Sequence, residues 1–196
     1  NDADGPNPYL ELPSMTMLTY QLPEDLRGKI GETDLDGFSL NEFFKAKAGR
    51  PAKFAHEEAV QKWLDLLRGQ YKPFDPTLAN PIGSNVPVPY GDRRLRSALQ
   101  HTLWFLPSVA ACDAMAALLA AEHNHFFHQY QVVVAAGNKA GMGVKALGPV
   151  KDALNKDSDG RRVSSAASQT ITLTCGKLLT GISVPEWGGI MMLRNT

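Results

Sequence analysis

Cysteine is scarce in this chain: only Cys112 and Cys175 occur among 196 residues. Two thiols far apart in sequence give neither a disulfide framework nor the paired spacing of a zinc knuckle, and they read as two buried free thiols. Charge of one sign is also missing. Twenty Lys and Arg balance twenty Asp and Glu, so the long-range field is weak and net charge asks for neither a polyanion nor a membrane surface. A long apolar run is lacking as well. The nearest approach, residues 103–121, is mostly Ala and contains Pro107 and Asp113; an Asp at mid-span costs about 3 kcal/mol on insertion, which Ala does not offset. No membrane span is expected. Internal repeats and low-complexity tracts are absent too.

What is present is a 43% apolar composition, enough for one sizeable core, and the expectation is a single domain over residues 15–196 preceded by an extended Pro-rich arm, residues 1–14. The chain opens on Asn1, which reads as trimmed or processed. That leaves the compartment open, with an intracellular one slightly favoured.

Residues 15–22 alternate as a half-buried strand does, with Leu18, Tyr20 and Leu22 on one side. Ser39 with Glu42 forms a capping box that opens a short helix. Ala59, Val60, Trp63, Leu66 and Leu67 recur at helical spacing before Gly69. Residues 72–90 carry Pro73, Pro76, Pro81, Pro87 and Pro89 and form a long irregular loop of the kind usually pinned against a neighbour. Asp92 caps a helix expected over residues 93–106, and Pro107 ends it.

From Ser108 an Ala-rich helix is expected to run to about Tyr130. Its stripe, Val109, Cys112, Ala116, Leu119, His123, Phe126 and Tyr130, together with a second flank of small residues, makes it the central packing element. Near the C-terminus, Ile171, Leu173 and Cys175 alternate with Thr170, Thr172 and Thr174, and residues 177–184 and 189–193 are strand-like. These suggest a small antiparallel sheet that the N-terminal strand could join, and the fold class is α+β with two or three helices around the Ala-rich one.

Four local patterns carry chemistry. The apolar run Val132, Val133, Val134 leads into Gly137, Gly141 and Gly143, and this strand-to-glycine turn resembles the cofactor loop of short-chain dehydrogenases, which implies a nucleotide phosphate held at a helix N-terminus. Gly148-Pro149 interrupts the helix that should follow, and too little chain remains for the rest of a doubly wound sheet. A flexible glycine turn is therefore the simpler expectation. Glu122, His123, His125 and His128 bring metal-ligating types together, but helical angles scatter them, so that His125 and His128 could supply only part of a ligand set to which His56 or His101 would have to contribute. Asp34, Asp36 and Glu42, like Asn155, Asp157 and Asp159, resemble fragments of calcium loops and fit turn chemistry better.

The pattern least explained by folding is Arg93, Arg94 and Arg96. Arginines in a first turn oppose the helix dipole, so acidic side chains of a neighbour or phosphates should meet them, with Tyr90 placed to stack on a base. Neither a nucleophile elbow nor a Walker loop occurs, which leaves an enzyme without a positive argument and no cofactor expected. The reading is a non-catalytic subunit of a larger protein assembly, with coat or nucleocapsid proteins as one form of it. Its partners are other protein subunits, and nucleic acid is a partner that net charge does not support. The alternative is a ligand-binding domain or enzyme using residues 137–143 for a nucleotide, or His125 and His128 for a metal.

Overall fold

The computed structural model describes residues 14–29, 38–77, 87–137, 144–176, 178 and 182–195. The arm at residues 1–13, most of the first acidic loop, residues 78–86 and residues 138–143 lie outside it.

The architecture is a mixed helix-and-strand one built on a four-stranded sheet. Its strands are β3 (His101–Phe105), β4 (Gln131–Val134), β5 (Thr170–Thr174) and β6 (Gly189–Met192), in the order β4-β5-β3-β6. Every pairing in this sheet is parallel, with Trp104 opposite Leu173 and Met191, and Val134 opposite Leu173. The expected antiparallel C-terminal sheet is thereby corrected. The threonines explain the misreading. Thr170, Thr172 and Thr174 look like the wet face of a half-exposed strand, yet all five residues of β5 are buried. Thr174 donates to the Ala135 carbonyl at 3.1 Å and Thr170 meets His101 Nδ1 at 3.0 Å, so their hydroxyls find partners inside the protein rather than in water.

The same pleat distributes the core over two faces. Trp104, Ile171, Leu173, Val132 and Val134 belong to the larger apolar cluster, while Leu103 and Val133 belong to a second one. Helix α5 (Val109–Leu119) covers the first face with Ala111, Cys112, Ala114, Met115, Leu118 and Leu119 buried. Beyond it stands a layer from the N-terminal half: α1 (Glu24–Gly28), α2 (Leu40–Phe43), α3 (Glu57–Leu67) and an antiparallel two-stranded hairpin of β1 (Ala46–Lys47) and β2 (Lys53–Phe54). Helix α6 (Val144–Ala153), through Leu147 and Val150, and the segment after β5, through Leu178, Ile182, Val184 and Trp187, cover the second face. The Ala-rich helix is central, as its two apolar flanks require.

Several local expectations meet their limits here. The helix from Asp92 is short: α4 (Arg93–Ala98) gives way to β3, because the residues at 101–105 are buried all round and so satisfy a helical stripe and a central strand alike. Helix α5 stops at Leu119 rather than near Tyr130 and continues as a 3-10 segment, Glu122–Gln129, broken at Asn124 (φ −100°, ψ 29°). There the Asn124 side chain donates to the Leu118 carbonyl at 2.8 Å, offering the backbone an alternative to the helix ladder. Residues 14–22 form no strand and take no place in the sheet, with Met15 and Met17 exposed. Helix α6 runs through Pro149 instead of ending there.

Ser39 and Asp92 cap their helices as expected, and Ser108 proves to be a third cap. Ser39 Oγ accepts from Glu42 N at 3.3 Å, Asp92 Oδ1 from Arg94 N and Leu95 N at 2.9 Å each, and Ser108 Oγ from Ala111 N at 3.1 Å. Among the described residues no helix is long and apolar enough to cross a membrane.

Candidate functional site

In an open parallel sheet, the crevice where ligands bind lies outside the carboxyl ends of adjacent strands whose onward connections leave over opposite faces. Strands β3 and β5 are such a pair. The chain leaves β3 through α5, over the first face, to reach β4 at one edge; between β5 and β6 at the other edge, Leu178, Ile182, Val184 and Trp187 lie on the second face. The two strands stay paired to their ends, where Leu106 N donates to the Thr174 carbonyl at 2.8 Å.

The rim of this crevice comes from three chain segments. From β3, Pro107 and Ser108 lead into α5, an 11-residue helix whose first turn carries no acidic side chain. Ser108 serves Ala111 N, and the Val109 side chain at the opening is 40% exposed. From β4, Gly137 turns with φ +68°, and a Cβ added there would stand 3.1 Å from Val109 Cγ1; this glycine is needed both for its backbone angle and for the close approach. From β5 come Cys175, partly exposed, and Gly176, exposed with φ +149°. Helix starts and glycine turns are backbone settings that suit an anion in many proteins. Burial pushes the Cys112 thiol, one turn into α5, well above its ordinary pKa, and the adjacent Cys175 adds to the effect.

The arginines lie at the other end of the sheet. Arg93, Arg94 and Arg96 on α4 precede β3 and are exposed. The cations Arg27, Lys45, Arg68, Lys156 and Arg161 each have a carboxylate within 4.0 Å, whereas none of these three has an ion pair among the described residues. Tyr90 does not stand with them. Its ring is 1% exposed, packed at 5.6–6.4 Å from Trp104, Phe126, Phe127 and Tyr130, and its hydroxyl meets Thr102 Oγ1 at 3.3 Å. No face of it is open to a base, and burial raises its pKa. The aromatic surroundings of residues 104, 126, 127 and 130 could have signalled a core tyrosine. Burial likewise raises Tyr130 to about 12, with Arg96 pulling the other way.

The histidines do not converge. His123, His125 and His128 are exposed along the 3-10 segment, His123 meeting Gln61 Oε1 at 3.1 Å and His128 the Ala121 carbonyl at 3.1 Å. Buried His101 has both ring nitrogens occupied, by Thr170 Oγ1 and by the Ser165 carbonyl at 2.8 Å. Among the described residues no three His, Cys, Asp or Glu side chains gather as a metal site. The second acidic loop is a turn: Asp157 Oδ1 accepts from Asp159 N at 3.0 Å and Arg161 N at 2.8 Å, and Gly160 has φ +78°. Of the first, Asp34, Asp36 and Gly37 lie outside the described residues.

Sequence reasoning missed the crevice because it depends on strand order. Its separate parts, the glycine at 137 and the helix start at 108, were visible.

No family model and no solved structure matches the chain. Over 174 residues, 84% of its length, it is 28% identical to a protein of Mycoplasma pneumoniae (strain ATCC 29342 / M129 / Subtype 1) described as the C-terminus of a putative type II restriction enzyme and methyltransferase. The match takes in 21% of that protein, so the chain spans about a fifth of the length of this relative.

Proposed function

We propose that the chain is a DNA-engaging unit of a larger protein of the restriction–modification kind, and that it holds the phosphate backbone in the crevice beyond β3 and β5. Its own contribution is binding and positioning rather than bond cleavage. What supports this reading is that α5 starts, β4 turns at Gly137 and β5 ends at Gly176 side by side beyond the carboxyl ends of the sheet, with no acidic side chain in the first turn of α5, at the place where open parallel sheets take their ligands. The similarity to a putative restriction enzyme and methyltransferase supports DNA as the source of the phosphates. A neutral chain fits a short contact of few phosphates rather than an extended basic track.

Titration of labelled single-stranded and duplex DNA, followed by fluorescence anisotropy over a range of salt, tests this. Val109→Glu places a carboxylate at the crevice mouth, where the helix dipole favours it, so the fold is retained. It should weaken binding about tenfold or more, a penalty of roughly 1.4 kcal/mol. Equal affinity of the two proteins overturns the proposal.

A second reading keeps the same edge with a smaller ligand. Strand β4, the turn at Gly137, helix α6 and the parallel strand β5 make a strand-helix-strand unit, which is the setting a nucleotide phosphate requires. Thermal stabilisation by NAD(P) or a nucleoside triphosphate, without any response to DNA, favours it.

The arginines on α4 are best read as facing an acidic surface of the rest of such a protein, since they stand at the opposite end of the sheet from the crevice.

A further inference from the structure

The two cysteines lie far apart in sequence, yet the fold brings them together at the crevice floor. Cys112 sits in the first turn of α5 and is fully buried, while Cys175 follows the last residue of β5, is partly exposed, and packs against the apolar cluster that contains Cys112. Both are free thiols: the paired ends of β3 and β5 set Cys175 beneath the start of α5, which packs on β5, and Cys175 adds to the upward shift of the buried Cys112 thiol. Neither thiol group is used in the phosphate contact argued above.

We propose that Cys112 and Cys175 form a reversible, thiol-exchange disulfide that staples the start of α5 to the end of β5. The asymmetry between the two thiols sets the order of events. Cys175 is the reachable one, so its thiolate attacks one sulfur of a low-molecular-weight disulfide. That sulfur–sulfur bond breaks, the first small thiolate leaves and takes up the proton Cys175 gave up, and a mixed disulfide remains on Cys175. Cys112 is shielded from solvent and meets no external disulfide, but it faces the mixed disulfide from within. Its sulfur attacks Cys175 Sγ, its proton passes to the second departing thiolate, and the protein disulfide closes. Two protein thiols are oxidised, and one small disulfide is reduced to two small thiols. Burial holds the Cys112 thiol in its protonated form and slows this second step, so the mixed disulfide should be visible on the way. Gly176, exposed and with nothing within 4 Å of a Cβ position, lies beside Cys175 and leaves the small disulfide room to approach.

The test is intact-mass analysis and non-reducing peptide mapping of the folded chain during incubation with oxidised glutathione. The expected end state is a loss of two hydrogens and a peptide pair joined through Cys112 and Cys175, reversed by a dithiol reductant. Cys112→Ser should stop at one glutathione adduct on Cys175, and Cys175→Ser should leave Cys112 unmodified as long as the protein stays folded, which circular dichroism checks. The proposal is overturned if the unsubstituted protein ends as the glutathione adduct, or if Cys112 reacts in the Cys175→Ser protein. Neither outcome bears on DNA binding, so this inference and the proposed function stand or fall separately.

Discussion

Gln61 on α3 and Asn124 in the 3-10 segment exchange two hydrogen bonds, Gln61 Nε2 to Asn124 Oδ1 at 2.9 Å and Asn124 Nδ2 to Gln61 Oε1 at 2.8 Å. Asn124 is fully buried and also serves the Leu118 carbonyl, so the pair pins the helix layer to the point where α5 ends. Asn124→Ala removes both amide bonds and the one to the Leu118 carbonyl, leaving Gln61 with His123 and Asp65 and that carbonyl with Ala121 N, and should cost about 2 kcal/mol in urea denaturation. In a double-mutant cycle with Gln61→Ala the coupling should be about 1 kcal/mol. Additive losses would mean that the two amides do not act as a pair.

Thr102 is a second polar anchor inside an apolar setting. Its hydroxyl oxygen accepts from Trp104 Nε1 at 3.0 Å and lies 3.3 Å from the Tyr90 hydroxyl, with all three residues buried. Trp104 in turn packs edge-on to Trp63 at 5.7 Å, linking the sheet to α3. Thr102→Val keeps the shape and the strand preference but leaves the buried Trp104 N–H and the Tyr90 hydroxyl without this partner, and should destabilise by about 2 kcal/mol. A Thr102→Ser protein should recover most of that loss. If valine is as stable as serine at this position, the methyl packing outweighs the hydroxyl and the polar anchor is unimportant.

Both anchors show where the sequence is legible and where it stops being so. Caps at Ser39 and Asp92 depend on neighbours three residues away, and they were readable. So was the stripe of α3, since a helix that buries one face repeats at its own period. The residues of β3 were not, because a strand buried on both faces has no period to read and lies next to the genuine helical turn at 93–98. Strand direction was illegible for a different reason: Thr170 and Thr174 of β5 find buried partners contributed by residues 101 and 135, which no local pattern reveals. The crevice follows from strand order and shared that fate. The arginine cluster was found as a pattern, but the burial of Tyr90 depends on Phe126, Phe127 and Tyr130 folding back over it.

Asp25 predicts a pH response. Partial desolvation alone would raise its pKa, but the Tyr71 hydroxyl and the backbone N–H groups of Phe74 and Leu26 donate to its carboxylate, and together they leave the pKa below the ordinary 3.8. A folded-state pKa below the unfolded one adds stability that is complete above the unfolded value and disappears as pH falls through the folded one. Stability should therefore drop on acidification below about pH 4, and the drop should be smaller in Asp25→Asn. Urea midpoints measured at pH 7 and pH 3 for both proteins decide this; an identical drop in the two would assign the acid response to other carboxylates.

The glycines before β6 separate backbone crowding from side-chain crowding. A Cβ at Gly188 would fall 1.9 Å from the Ala98 carbonyl oxygen, whereas one at Gly189 would fall 2.2 Å from Leu99 Cδ2. The first obstacle is main chain at the end of α4 and cannot swing away; the second is the tip of a partly buried leucine that can change rotamer. Gly188→Ala should cost about 3 kcal/mol and Gly189→Ala about 1 kcal/mol in chemical denaturation. Equal costs would show that the junction between α4 and β6 yields as a whole.

Reversing charge at the start of α4 tests both the helix and the placement of DNA. Arg93 and Arg94 occupy the first two helical positions, where the dipole disfavours cations, and among the described residues neither has an ion pair to offset this. Glutamates in their place, with the Asp92 cap left intact, should raise the folding stability by about 1 kcal/mol. If the phosphates lie beyond β3 and β5, the substituted protein loses no backbone contact, and its affinity should fall only through the weaker general field, with the slope of log affinity against log salt unchanged. A slope reduced by about two would instead mean that these arginines each neutralise a phosphate. In that event the DNA lies at the amino-terminal end of the sheet, and the crevice must serve a different ligand.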